Sequence, residues 1–188
     1  MIFPTETVYG IGCDPGNAQA VAALFAAKQR PWDKPLAIHL AEPAQAARYA
    51  ARIGPAAQRI IERFWPGPVA VIVDRRPAVA QPAALGGATI SLRCPSDRAC
   101  AAILRATGPL AATSANISGR APFCGAEHEI GALPPASLAL ITGRILAGKE
   151  STVLDCSGGS VKLVREGALP AAAVWAALDH SVELSRGT

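Results

Sequence analysis

Aromatic residues make up only 5% of this 188-residue chain, although 51% of it is hydrophobic. Abundant alanine raises the apolar fraction without supplying bulk, so the core has to come from closely packed aliphatic side chains. Every apolar run is interrupted well short of the roughly 20 residues a membrane helix needs. The start Met1-Ile2-Phe3-Pro4 lacks the basic opening, apolar middle and small-residue cleavage site of a signal peptide. A soluble, cytoplasmic protein with no membrane contact is therefore expected. The five cysteines, Cys13, Cys94, Cys100, Cys124 and Cys156, include no CxxC pair and read as reduced, packed thiols. The three histidines, His39, His128 and His180, are scattered, so no protein-ligated metal is expected. GxGxxG and the Walker A loop are absent as well, and a nucleotide would have to be held by other means. The length and composition fit a single domain over residues 1–188 with a sizeable core.

What the chain does have is concentrated charge. Net charge is +4 with a pI near 9.0, compatible with an anionic ligand or a weak RNA contact but also with an ordinary basic surface. Locally, Lys28, Arg30 and Lys34 fall within seven residues of a helix-to-strand junction, Lys28-Gln29-Arg30-Pro31-Trp32-Asp33-Lys34-Pro35. The prolines cannot continue a helix and bias the residue before each toward extended backbone, which holds the cations on a stiff loop. A polyphosphate or several carboxylates would relieve their repulsion. Cations that simply complement a helix dipole are the structural alternative for Lys28 and Arg30, but Lys34, beyond the proline, fits it poorly.

Asn17 caps a helix running to Lys28, with Val21, Leu24 and Phe25 on one face. Leu36 to Leu40 reads as a buried strand, an alanine-rich helix follows Pro43 to about Arg52, and Pro55 opens another helix with Ile60, Ile61 and Phe64 inward. Strands are expected at 69–73, 88–93, 110–113, 138–142, 152–155 and 162–164, a helix capped by Ser96 runs to about Thr107, and a last helix spans 171–178. This irregular alternation predicts an α/β (α+β) fold, a twisted mixed sheet with helices packed on it, rather than a doubly wound Rossmann sheet.

Several clusters could carry chemistry. In Pro4-Thr5-Glu6-Thr7-Val8-Tyr9-Gly10, strand alternation would put Thr5, Thr7 and Tyr9 on one face and Glu6 on the other, although these residues also suit a plain strand and turn. Arg93 closes the strand Ser91-Leu92-Arg93 before a proline and could fork onto a carboxylate, or could be a surface arginine. The run Thr113-Ser114-Ala115-Asn116-Ile117-Ser118-Gly119 could form an anion-binding nest or an ordinary turn. Ser151 and Arg165 border late strands. Together the cations beside strand and loop ends, with hydroxyls between them and no paired carboxylates, suggest polyanion binding and reaction by positioning and charge stabilisation.

These motifs, in this order, resemble the YrdC-like threonylcarbamoyl-AMP synthase family. The matching segments are PTETVYGIG at 4–12, KQRPWDKPLAIHL at 28–40, SLRCP at 91–95, TSANISG at 113–119, STVLD at 151–155 and VREG at 164–167. The resemblance implies a YrdC-like fold and a nucleotidyltransferase that makes threonylcarbamoyl-adenylate and pyrophosphate from L-threonine, bicarbonate and ATP. A transferase complex would then use the product to modify tRNA. It also implies that Thr7, His39, Arg93, Thr113 and Ser151 hold threonine, and that Lys28, Arg30, Lys34, Thr89, Ser114, Asn116 and Arg165 line the nucleotide site. Of these, Lys28, Arg30 and Lys34 would be catalytic, and Mg2+ is expected with the ATP.

Two departures from the family pattern stand out. The PTET motif lies only three residues from Met1, where relatives carry a helix and the start of a strand, so the first strand is expected to fray. The long C-terminal extension of some relatives is missing, which suggests the single-domain form. The alternatives are the carbamoyl-adenylate chemistry of hydrogenase-maturation proteins and an RNA-binding or ribosome-assembly module. The first belongs to much longer chains, and the second lacks an aromatic stacking platform here.

Overall fold

The computed structural model describes residues 1–178 and the short strand 184–185; the expectations for His180 lie outside them. The strands are β1 (Ile2–Phe3), β2 (Gly10–Cys13), β3 (Ala37–His39), β4 (Val69–Asp74), β5 (Thr89–Arg93), β6 (Leu110–Ser114), β7 (Thr152–Asp155), β8 (Val161–Arg165) and β9 (Leu184–Ser185). The helices are α1 (Ala18–Lys28), α2 (Pro55–Phe64), α3 (Arg98–Thr107) and α4 (Ala171–Ala177). One mixed sheet runs in the order β1-β2-β6-β3-β5-β4-β7-β8-β9. The expected fold class is the one observed.

Local chemistry explains most element ends. Asn17 Oδ1 accepts from Ala20 N at 3.0 Å to start α1, and Gln29, left-handed at φ 52°, turns its N–H back onto the last carbonyls. Pro55 sits in the first turn of α2, where its missing N–H costs nothing. The cap of α3 is Asp97, not Ser96: the Asp97 carboxylate accepts from Cys100 N at 2.8 Å.

Sheet register separates two functions by parity. In Thr89-Ile90-Ser91-Leu92-Arg93 the aliphatic side chains point to one face and the polar ones to the other. Pairing of β3 with β5 aligns Ile38 with Leu92, and Ala37 and His39 with Ser91 and Arg93. The aliphatic face, with Ile11, Ile38, Ile90, Leu92, Val71, Val73 and Leu154, packs against Leu24 and Phe25 of α1, Ile60 and Ile61 of α2 and Val174 of α4. On the opposite face a smaller cluster joins Phe3, Leu110 and Ala112 to Cys100 and Leu104 of α3, leaving the middle of the sheet uncovered.

Three expected helix or strand segments take another form. The alanine-rich helix at 43–52 is a short 3-10 helix, Pro43–Arg48, because Ala50 bridges Arg75 and Ala51 N donates to Asp74 O at 2.8 Å, pulling the backbone onto the end of β4. The strand at 138–142 reduces to one bridge, Ala139 to Ile2, since β1 is only two residues long and offers nothing further to pair with. Residues Pro4–Tyr9 form a turn rather than a strand. Thr5 Oγ1 accepts from Thr7 N at 3.2 Å and Val8 N at 3.3 Å, taking donors a ladder would have needed.

The start of the chain is tied down, contrary to the expected fraying: the Met1 ammonium donates to Gly12 O at 2.8 Å, and Ile2 and Phe3 are buried. Phe3 lies across Gly10 and Gly12, so close that a Cβ on Gly12 would sit 3.0 Å from its ring and 3.1 Å from Ala111 O. Gly12→Leu should therefore lower stability by about 1–3 kcal/mol through overpacking. Urea unfolding would show this as a lower midpoint with an unchanged slope.

Candidate active site

The uncovered middle of the sheet forms the floor of a cleft of about 240 Å³. Its floor is small because the register brings Gly10, Ala37, Ser91 and Ala112 together, and its walls carry Arg30, His39, Thr89, Arg93, Thr113, Ser114, Ser151 and Arg165. Eight of the residues expected from sequence thus meet at one place. Lys28, Lys34, Thr7 and Asn116 do not line it.

Arg93, only 4% exposed, is fixed by Thr7 and Glu6 from the turn before β2. Its Nη2 donates to Thr7 Oγ1 and to Glu6 Oε1, both at 2.9 Å. Thr7 is therefore a buried support of Arg93, and its hydroxyl also bonds that of Thr5 at 2.9 Å. Beside Arg93 in the register, His39 is buried with Nδ1 lacking a partner, as does Glu6 Oε2. Burial first, and the neighbouring Arg93 charge second, pull the His39 imidazole down to about 3. At neutral pH it is uncharged.

The basic loop is built by its own arginine. Arg30 Nε donates to Lys34 O at 2.9 Å and Nη2 to Pro35 O at 3.0 Å, curling the loop, while Nη1 reaches Thr113 Oγ1 at 3.4 Å. Lys34 is exposed at the surface of this loop. Trp32, 59% exposed, stacks on Phe25 with ring centroids 4.3 Å apart. Lys28 points inward: its ammonium donates to Ser114 O, to Asn116 O at 2.6 Å and to Asn116 Oδ1 at 3.2 Å. Burial, then the Arg30 charge, bring its pKa down to about 8. Asn116 is fully engaged in the same turn, with Oδ1 accepting from Ser114 Oγ at 2.6 Å and Nδ2 donating to Arg120 O at 2.6 Å.

Across the cleft, Arg165 donates through Nε and Nη2 to Ser151 O at 3.1 and 3.0 Å and through Nη1 to Glu150 Oε2 at 2.7 Å. Sequence reasoning missed Tyr9 and Glu150 among the lining residues. Tyr9 had a signal in its motif. Its hydroxyl donates to Gly143 O at 2.7 Å and accepts from Thr142 N at 2.9 Å, anchoring the irregular segment that leads to Glu150. Glu150 had no signal beyond standing next to Ser151.

The site is an open, cation-rich cleft on the uncovered face of a mixed α/β sheet. A family model described as "Telomere recombination", Sua5/YciO/YrdC, matches residues 1–167, and the chain belongs to that family. A Bacillus subtilis relative named threonylcarbamoyl-AMP synthase is 36% identical over 170 residues, covering 89% of this chain and 49% of the relative. A Pyrococcus abyssi relative of the same name is also 36% identical over 170 residues, covering 89% and 50%. The chain therefore spans about half the length of these curated relatives. The crystal structure of P. abyssi Sua5 complexed with L-threonine superposes with a TM-score of 0.88 at 32% identity, over 98% of this chain and 54% of that one.

The buried His39 gives a pH test. An imidazole at about 3 when folded, against an ordinary 6.5, keeps out a proton that the unfolded chain takes up. Stability from this group is complete above 6.5 and is lost as pH falls toward 3. His39→Asn should be less stable than wild type at pH 7.5, and that deficit should narrow by about 2 kcal/mol at pH 5. A deficit that stays constant between the two pH values, measured by urea unfolding, would mean that folded His39 accepts the proton.

Proposed function

We propose that this chain joins L-threonine, bicarbonate and ATP into threonylcarbamoyl-adenylate, with release of pyrophosphate and water. The observation that carries this reading is the pairing on one sheet face of a carboxylate reader, Arg93 beside a neutral His39, with phosphate readers, Arg30 and Arg165. The relatives' name and the threonine bound in the P. abyssi structure support it.

In this mechanism Arg93 takes the threonine carboxylate, held for that task by Glu6 and Thr7. The threonine amine must be uncharged to attack the carbon of carbon dioxide or bicarbonate. His39, itself uncharged, offers its unpartnered Nδ1 nearby without adding a competing positive charge. The carbamate oxygen then attacks the α-phosphorus, the bond to the bridging oxygen of the β-phosphate breaks, and that oxygen leaves with the electron pair on pyrophosphate. Arg30 and Arg165, with Lys34 on the exposed loop, stabilise the leaving charge. Thr89, Ser114 and Ser151 supply hydroxyls, and Thr113, already bonded to Arg30, stands where carbamate and phosphate meet. Lys28 acts from below by holding the Ser114–Asn116 turn.

Mg2+ would arrive with ATP, taking most of its ligands from phosphate and water. The cleft's hydroxyls are hard oxygen donors of the kind that suits it, and when bound it neutralises phosphate charge. The adenylate product would pass to a threonylcarbamoyl-transferase complex acting on tRNA in the cytoplasm. Among the described residues no helix is long and apolar enough to cross a membrane.

With ATP, bicarbonate and L-threonine, the protein should release pyrophosphate in a threonine-dependent way. Release that is unchanged when threonine is omitted would overturn the reading. A second expectation separates the two ends of the cleft. Arg30→Ala should weaken ATP binding by about ten- to a hundredfold, the loss of a charge-assisted contact. Calorimetric titration with threonine alone should change little, because Arg93 and His39 remain; equal ATP affinity in the folded variant would remove the basic loop from the site.

A further inference from the structure

Glu150 is the one carboxylate lining the cleft among the described residues, and it sits on a cation that the proposed reaction needs. Arg165 is anchored to the Ser151 carbonyl through Nε and Nη2, at 3.1 and 3.0 Å. Its remaining nitrogen, Nη1, carries Glu150 Oε2 at 2.7 Å. A phosphate oxygen approaching Nη1 therefore meets a carboxylate already there, and two anions that close repel.

The backbone beneath is tied to the 167–168 segment. Ala168 N donates to Glu150 O at 2.8 Å, and Gly167 approaches so closely that a Cβ on it would stand 2.1 Å from the same oxygen. The Glu150 side chain, 34% exposed, is not clamped in this way and can turn out toward solvent. The exchange of one anion for another on Arg165 thus needs only a rotation of the Glu150 side chain.

We propose that Glu150 is a positioning residue that stands in for a phosphate: it keeps Arg165 aimed in the empty cleft and, by competing for Nη1, weakens the hold on pyrophosphate so that this product leaves. The inference rests on the nucleotide reading given above. It predicts a gain of affinity on substitution, which a merely structural role would not give. A structural role would let Arg165 wander and weaken binding.

The test is calorimetric titration of the whole chain with inorganic pyrophosphate, without divalent metal and again with Mg2+, for wild type, Glu150→Gln and Glu150→Ala. Thermal melts check that each variant is folded. Glu150→Gln should bind pyrophosphate about fivefold more tightly in both conditions, the size of one partly exposed charge contact. Glu150→Ala should shift the same way, and threonine affinity should stay constant. Equal or weaker pyrophosphate binding by both variants, while wild type binds, would overturn the inference alone. Weakening confined to the Mg2+ titration would overturn it in favour of a metal-ligand role. Absence of pyrophosphate binding by wild type and by both variants would overturn the nucleotide reading along with it.

Discussion

The buried ammonium of Lys28 is the constraint around which the cleft is assembled. A charge taken out of water costs several kcal/mol unless it is paired or fully hydrogen-bonded. Here Ser114 O, Asn116 O and Asn116 Oδ1 surround it, and the Lys28 carbonyl in turn accepts from Ser118 N at 2.9 Å. The C-terminal end of α1 and the end of β6 are thereby locked to each other. Everything the basic loop does follows from that lock. Arg30, two residues on, can reach Thr113 only because β6 is held beside it. The loop it curls then delivers Pro35 and Leu36 into β3.

A second constraint is the crowding of like charge. Burial lowers Lys28 and Arg30 most; the Arg30 charge lowers Lys28 further and Arg165 lowers Arg30, while Glu150 relieves both. Such a cleft has a standing preference for an anion, because any negative group placed among these cations lowers the energy of several at once. At the other end, Arg93 is already half satisfied by Glu6 and Thr7, so it is held in place before a ligand arrives and little ordering is left to do on binding.

Space for the ligand is a property of the sheet rather than of the loops. Gly10, Ala37, Ser91 and Ala112 fall on the same face through the register of four strands, and their small side chains leave the floor low. Larger residues at these positions would fill the cleft from below. The other face spends its aliphatic side chains on the helices, so one strand such as β5 serves core and site at the same time.

Read alone, the residues determined what depends on neighbours along the chain. Asn17, Pro55 and the alternation of Thr89 to Arg93 specified a cap, a helix start and a two-faced strand, because capping and pleat are local effects. The order of the motifs likewise pointed to the family that the chain belongs to. Tertiary structure decided the rest. Helical spacing sets Lys28 on the face of Val21, Leu24 and Phe25, while Lys34 lies beyond the proline, but it does not show what Lys28 meets there; the oxygens that hold it come from a turn 86 and 88 residues away. Thr7, expected at the ligand, is buried outside the cleft with its hydroxyl on Arg93, and Glu150, which no expectation named, lines the site. Hydroxyls and charges take their roles from partners that only the packed sheet brings within reach, and a sequence-distant partner leaves no local mark.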